Sequence, residues 1–181
     1  MSYSIKEKDA LLAVARNAIK LYLNTGKKVY PKTDNPDFLE KRGVFVTLHV
    51  NGNLRGCIGY PLPYKSLIEA IVDNAISAAT EDWRFIPVSI EELDNLNIEI
   101  SVLTVPVKIE KYSDIIVGKH GIIISKGSKK GLLLPQVPVE QNWDLEEYLS
   151  NGCLKAGLPP NEWRNGVEIE VFEAIVFSEQ H

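Results

Sequence analysis

Residues 43–59 constrain the fold more than any other stretch. Val44, Val46, Leu48 and Val50 alternate with Phe45, Thr47 and His49, the period of a half-buried strand. Asn51-Gly52 follows as a turn signal, and beyond it stands Leu54-Arg55-Gly56-Cys57-Ile58-Gly59. The pattern predicts an antiparallel hairpin, with a register set by whichever pairing gathers the apolar side chains on one face. A two-residue loop pairs His49 with Leu54 and Val46 with Cys57, which mixes the faces. A three-residue loop of Val50, Asn51 and Gly52 pairs His49 with Asn53 and Leu48 with Leu54. It gathers Val44, Val46, Leu48, Leu54 and Ile58 on one face and Phe45, Thr47, His49, Arg55 and Cys57 on the other, and is the register expected. His49 and Cys57 then stand on the order of 13 Å apart. That separation argues against a direct Cys–His dyad and makes His49 a surface residue at a strand end.

The second strand carries the chemistry. Arg55 offers a planar fork of donors suited to a carboxylate or phosphate. Cys57 is a nucleophile, a metal ligand or a small buried residue, depending on its surroundings. Gly56 and Gly59 leave room for close approach by a backbone or a ligand. The plain alternative is a glycine-kinked edge strand with a packed Cys and a surface Arg.

The remaining chain reads as a mixture of helices and strands. Residues 5–24 carry Leu11, Val14, Ala15, Ala18, Leu21 and Tyr22 at helical spacing, with Gly26 as the stop. Residues 27–42 hold Pro31 and Pro36 and form a loop or arm that is ordered only if it packs on something. Ser66-x-x-Glu69 and Ser89-x-x-Glu92 are capping boxes. The first opens a helix to about Ala79 with Leu67, Ala70, Ile71, Asn74, Ala75 and Ala78 inward; Asn74 is a polar intrusion expected to bond a loop. The second opens a short helix to about Leu96. Ile98, Ile100 and Val102 then alternate with Glu99 and Ser101 in a strand. Ile122-Ile123-Ile124 reads as a buried strand, and residues 127–131 as a solvated basic hairpin tip. Asp144 and Glu147 open another helix, with Cys153 inside it. Residues 167–177 form one long closing strand. Together these elements predict an α+β fold, a largely antiparallel mixed sheet with flanking helices.

Composition narrows the function. The 181 residues are 45% hydrophobic and 24% charged with a net charge of −4, as in ordinary globular proteins and without general attraction to phosphate backbones. No basic region leads into an apolar run at the start, and no run approaches the roughly 20 residues that span a bilayer. Two cysteines, Cys57 and Cys153, make neither a disulfide framework nor a thiolate metal cage. Three histidines (His49, His120 and His181) include no pair at metal-binding spacing. A reducing, cytoplasmic setting without a metal is the expectation.

Five further blocks accompany the hairpin motif in order: Asp82-Trp83-Arg84-Phe85 with Pro87-Val88, Glu99-Ile100-Ser101-Val102-Leu103, Gly118-Lys119-His120-Gly121, Leu133-Leu134-Pro135-Gln136-Val137-Pro138, and Lys155-Ala156-Gly157-Leu158. In these, and in Leu54-Arg55-Gly56-Cys57-Ile58-Gly59, the chain resembles the AMMECR-domain family from about residue 43 to 177. Trp83 departs from it, standing where the family has proline. The resemblance implies two unequal lobes with the motif near the cleft between them, the smaller within about 105–140. It implies no settled activity and leaves the cofactor open. It also implies a pathway link to Memo-like and radical-SAM proteins, whose genes often lie nearby.

Three function classes follow. In an enzyme, Cys57 is the reactive thiol and His120, set between glycines, the candidate base. In a binding module, Arg55, Gly56, Gly59 and Gln136 hold a small anionic ligand or a partner segment. Arg84 either pairs locally with Asp82 or Glu81 or joins Arg55 on that anion. Nucleic-acid binding is the third class; the acidic balance and the absence of a basic helix or aromatic platform count against it.

Overall fold

The computed structural model describes residues 2–179. Its helices are α1 (Ile5–Thr25), α2 (Pro36–Leu39), α3 (Leu67–Thr80), α4 (Val137–Glu140) and α5 (Leu145–Lys155). Its strands are β1 (Gly43–Val50), β2 (Asn53–Tyr60), β3 (Leu96–Leu103), β4 (Val107–Ile109), β5 (Gly121–Lys126), β6 (Lys129–Leu133), β7 (Glu168–Phe172) and β8 (Ala174–Ser178). The fold is α+β, with two four-stranded sheets ordered β2-β1-β3-β8 and β4-β7-β5-β6. The chain divides into two compact units. One comprises the residues up to Leu103 and those from Ile175 onward; the other is Thr104–Ala174.

In the first unit, β1 lies between β2 and β3, antiparallel to both. Alternation sends Val44, Val46, Leu48, Ile98, Ile100 and Val102 to one face, where all are fully buried. Helix α3 lies against that face. It is buried on nearly every side because α1 packs on its other flank, where Ala18, Val72 and Ile76 meet. The alanines at 70, 75, 78 and 79 keep it slim enough for that position. Asn74, the polar residue within this helix, donates from Nδ2 to the carbonyl of Val44 at 3.0 Å. Its partner is a strand carbonyl rather than a loop. In α1, capped by Ser4 and Glu7 and stopped by left-handed Gly26, the buried stripe is Leu11, Leu12, Ala15, Ala18 and Ile19. It is rotated from the predicted one, and Leu21 points to solvent. The arm after α1 is held down by buried Asp73, which accepts from Lys28 Nζ at 2.7 Å and Tyr30 Oη at 2.8 Å and also binds Lys65.

In the second unit, α5 lies on the β4-β7-β5-β6 sheet over Ile122, Ile124 and Ile169. Tyr148 is fully buried there, its hydroxyl within 3.1–3.3 Å of the carbonyls of His120, Leu133 and Leu134. Gly127 at φ 60° turns the β5–β6 tip, which is exposed over 127–130 as expected, whereas Gly131, expected to be solvated with it, is buried against Ala156. This unit runs on well past the 105–140 span expected of a smaller lobe, because β7 pairs with both β4 and β5.

The single closing strand expected over residues 167–177 is two strands. The run breaks at Glu173, whose N–H donates to Thr104 Oγ1 at 2.8 Å while its carbonyl accepts from Thr104 N at 2.9 Å. Phe172 is therefore buried with its ring over Gly121, while Phe177 joins the core of the first unit. No helix among the described residues is long and apolar enough to cross a membrane.

Candidate functional site

The hairpin corrects the predicted register. Asn51 and Gly52 both have positive φ, 50° and 77°, and Val50 faces Asn53 across a two-residue turn. His49 then faces Leu54, and the register shifts so that Leu48 faces Gly56. Arg55 is the extra residue of a β-bulge. The bulge reverses the phase that the short turn sets, so Ile58 faces Val46 on the core side and Cys57 faces Thr47 on the other. Cys57 thus occupies the predicted face for an unpredicted reason. The shorter turn also brings His49 within two residue steps of Cys57, about 7 Å along the strand rather than 13 Å.

Strand β2 is an edge, and its free side is closed by the segment after α3. Buried Asp82 accepts from Cys57 N at 2.9 Å through Oδ2. The same carboxylate takes Arg84 Nε at 2.9 Å and Nη2 at 2.7 Å, while Arg84 Nη2 lies 3.4 Å from the Cys57 carbonyl. An Asp–Arg pair therefore holds both backbone groups of Cys57, as a neighbouring strand would. The pairing of Arg84 with Asp82 is the local one that the sequence suggests. The donors around Asp82, led by Arg84 and outweighing its burial, hold its carboxyl well below the usual carboxylate range.

Because the N–H and carbonyl of Cys57 point outward, Thr47 and Cys57 are a non-hydrogen-bonded pair, the kind with the closer side chains. The Thr47 hydroxyl accordingly donates to Cys57 Sγ at 3.3 Å. Cys57 is half-buried, whereas Cys153 is fully enclosed in the second core, where burial pushes its thiol up.

The remaining motif residues face their own chain. Arg55 donates from Nε and Nη2 to the two carboxylate oxygens of Glu92, at 2.9 and 3.1 Å, and from Nη1 to the Ile86 carbonyl at 2.9 Å. A Cβ at Gly56 would stand 2.1 Å from the Ala78 carbonyl oxygen of α3. At Gly59 it would meet Val44 O at 2.3 Å and Phe45 at 2.5 Å. The close approach that these glycines permit is that of the protein's own backbone and side chains.

His120 and Gln136 belong to the second unit. His120 Nδ1 accepts from Ile116 N at 3.1 Å, which leaves the proton of the neutral ring on Nε2, 3.9 Å from Glu173 Oε1. In that tautomer His120 donates from its free nitrogen and has no lone pair there to act as a base. Gln136 is exposed at the start of α4. His181 lies outside the described residues, among which no three His, Cys, Asp or Glu side chains are grouped to hold a metal ion.

Sequence reasoning missed three contributors. Thr47 looks like one more alternating residue, and only the register shows that it bonds the sulfur. Asp82 announces itself through its spacing to Arg84, yet nothing in that spacing says it reaches back to residue 57. Glu99 faces Thr47 on β3 and so stands in the same row as Cys57.

Comparisons with known proteins agree with this architecture. The AMMECR1 family profile matches residues 12–177. Protein MK0488 of Methanopyrus kandleri is 51% identical, over 98% of this chain and 90% of its own. Protein PH0010 of Pyrococcus horikoshii is 47% identical, over 100% and 95%. The crystal structure of that uncharacterized PH0010 protein superposes with a TM-score of 0.82, covering 96% of this chain and 92% of its own. With its profile, relatives and fold all in agreement, the chain belongs to the AMMECR1 family.

Proposed function

We propose that the outer face of the first sheet is a reaction site with Cys57 as its nucleophile, and that the protein is an enzyme or enzyme subunit acting on an electrophilic small molecule. The observation carrying this reading is the Thr47 hydroxyl donating to Cys57 Sγ on a half-open polar face. A packed spectator cysteine would be expected on the apolar side with Val46 and Ile58. Asp82 and Arg84 fix the backbone of Cys57 and hence the direction of its sulfur, the preorganisation that such a role requires.

One observation favours a second reading, a binding module without chemistry. Arg55, Gly56 and Gly59 are all engaged by the protein itself, so the motif has a structural task whatever Cys57 does. Limited alkylation of the native protein with iodoacetamide, followed by peptide mapping, separates the two. The reactive-thiol reading expects Cys57 to be labelled first and Cys153 to stay unmodified. Labelling of Cys153 before Cys57 would remove the enzyme reading and leave the binding module.

A further inference from the structure

Each of the two sheets has two edges, and three of the four edges are blunted. The β2 edge is closed by Asp82 and Arg84. Edge strand β6 carries Lys129 and Lys130, and β4 is three residues long with Lys108 at its centre. Short edges and lysines are devices by which sheets avoid pairing with other chains. Strand β8 has neither. It is Ala174-Ile175-Val176-Phe177-Ser178, five residues without a charge, a proline or a glycine, and no described strand lies beyond it.

The pairing of β8 with β3 fixes which of its backbone groups are unused. Thr104 N donates to the Glu173 carbonyl at 2.9 Å and Glu179 N to the Ile98 carbonyl at 3.0 Å, so both ends hold one antiparallel register. Backbone groups in such a ladder point alternately to the two sides of the strand. Glu173, Ile175, Phe177 and Glu179 therefore face β3, and Ala174, Val176 and Ser178 turn their N–H and C=O groups to the open edge. Phe177 is buried in the core and Ile175 packs against it, while Val176 is 53% exposed.

A groove of about 720 Å³ runs between this strand and α1. Its helical wall is a single stripe of Ile5, Lys8, Asp9, Leu12, Ala13 and Arg16, at the i, i+3, i+4 spacing of one face. Leu12 is buried and Arg16 is tied to Glu179, but Ile5 is 79% exposed and Ala13 is small and exposed. Lys8 and Asp9, adjacent on the stripe, give it both signs of charge.

We propose that β8 and this stripe of α1 form the contact surface of a symmetric homodimer, in which β8 pairs antiparallel with β8 of a second copy and two four-stranded sheets become one of eight strands. An open strand edge is matched along its length only by another extended strand. The composition of the surface selects this chain's own. The outward groups are centred on Val176, so a two-fold axis there sets Val176 opposite Val176 and Ser178 opposite Ala174. No like charges meet, which is the usual obstacle to a strand pairing with itself. A stripe that carries Lys8 beside Asp9 complements a copy of itself better than a partner of one sign. The contact does not depend on the chemistry of Cys57.

Sedimentation equilibrium of the full chain at micromolar concentrations tests it. The wild type is expected to show twice the chain mass and to dissociate on dilution. Val176→Lys sets two ammonium groups opposite each other across the axis and is expected to raise the dissociation constant at least about tenfold. Val176 faces solvent in the single chain, so the variant is expected to keep the wild-type circular dichroism spectrum. A wild type that is monomeric throughout, or a dimer that Val176→Lys leaves intact, would overturn the proposal. If that variant does not fold, Val176→Cys decides, because two residues in a hydrogen-bonded pair have Cα atoms about 5.5 Å apart, within disulfide reach. Diamide takes two protons and two electrons from the paired thiols, and peptide mapping locates the bond against a wild-type control for Cys57 and Cys153. A link joining position 176 of the two copies supports the proposal, and its absence overturns it.

Discussion

Asp82→Ala is expected to cost about 2–4 kcal/mol, the largest single-residue effect at the site. The carboxylate is buried and accepts from the Cys57 amide and from the backbone and side chain of Arg84. Removing it leaves a strand-edge amide without its partner and a guanidinium with only a distant carbonyl, and an unpaired buried group costs about 1–3 kcal/mol. Thermal melting with amide exchange at Cys57 is the measurement, since local opening at the β2 edge precedes global loss. The pH dependence has a definite sign. The folded carboxyl lies below its unfolded value of about 3.9, so the folded state binds fewer protons through that range. Its contribution is complete above about pH 4 and fades as acid carries the pH down through the folded value. The gap between wild type and Asp82→Ala therefore narrows on acidification and stays constant from neutral pH upward.

Gly56→Ala is expected to cost about 3 kcal/mol, at the upper end of what inserting a methyl group into a packed interior costs. The new Cβ would fall 2.1 Å from the Ala78 carbonyl oxygen, which is helix backbone and has no rotamer to change. Either α3 lifts from the sheet or β2 is displaced, and both disturb the pairing of Thr47 with Cys57. Gly52→Ala is the control. It has open space around it but a φ of 77°, so its cost is the backbone penalty alone, about 1 kcal/mol. Melting curves that rank Gly52→Ala below Gly56→Ala would contradict the close-approach role of Gly56.

The hairpin shows what could be read without coordinates. Hydrophobic alternation names the correct face for Val44, Val46, Leu48, Ile58 and Cys57, because burying Val46 and Ile58 together is worth more than any loop preference, but not for Leu54, which faces His49 and is exposed. It does not say how the chain achieves that phase. Beyond the bulge an odd loop and an even loop followed by a bulge give the same faces, and Asn51-Gly52 chose the even one; before it they differ, which is why Leu54 faces His49 instead of Leu48. The difference matters for His49, which moves about two residues closer to Cys57 than the odd loop would put it. Strand and helix identities follow the capping boxes and turn glycines closely, since those signals are local. The split at Glu173 is invisible because the apolar alternation continues on both sides of it while the chain changes sheets. Partners far apart in sequence are missed for the same reason. Arg55 has suitable carboxylates at many positions, and only the folded β2 edge selects Glu92.

The rate of Cys57 modification in the folded chain, compared with the same chain in denaturant, tests the central claim most directly. Iodoacetamide labelling is followed at both cysteines by peptide mapping, each normalised to its unfolded rate. A thiol on a half-open face is predicted to react when folded at a rate within about tenfold of its unfolded rate, while enclosed Cys153 is slowed at least a hundredfold because it must wait for unfolding. Equal and strong protection of both cysteines would contradict the assignment, since Cys57 would then be as much a core residue as Cys153.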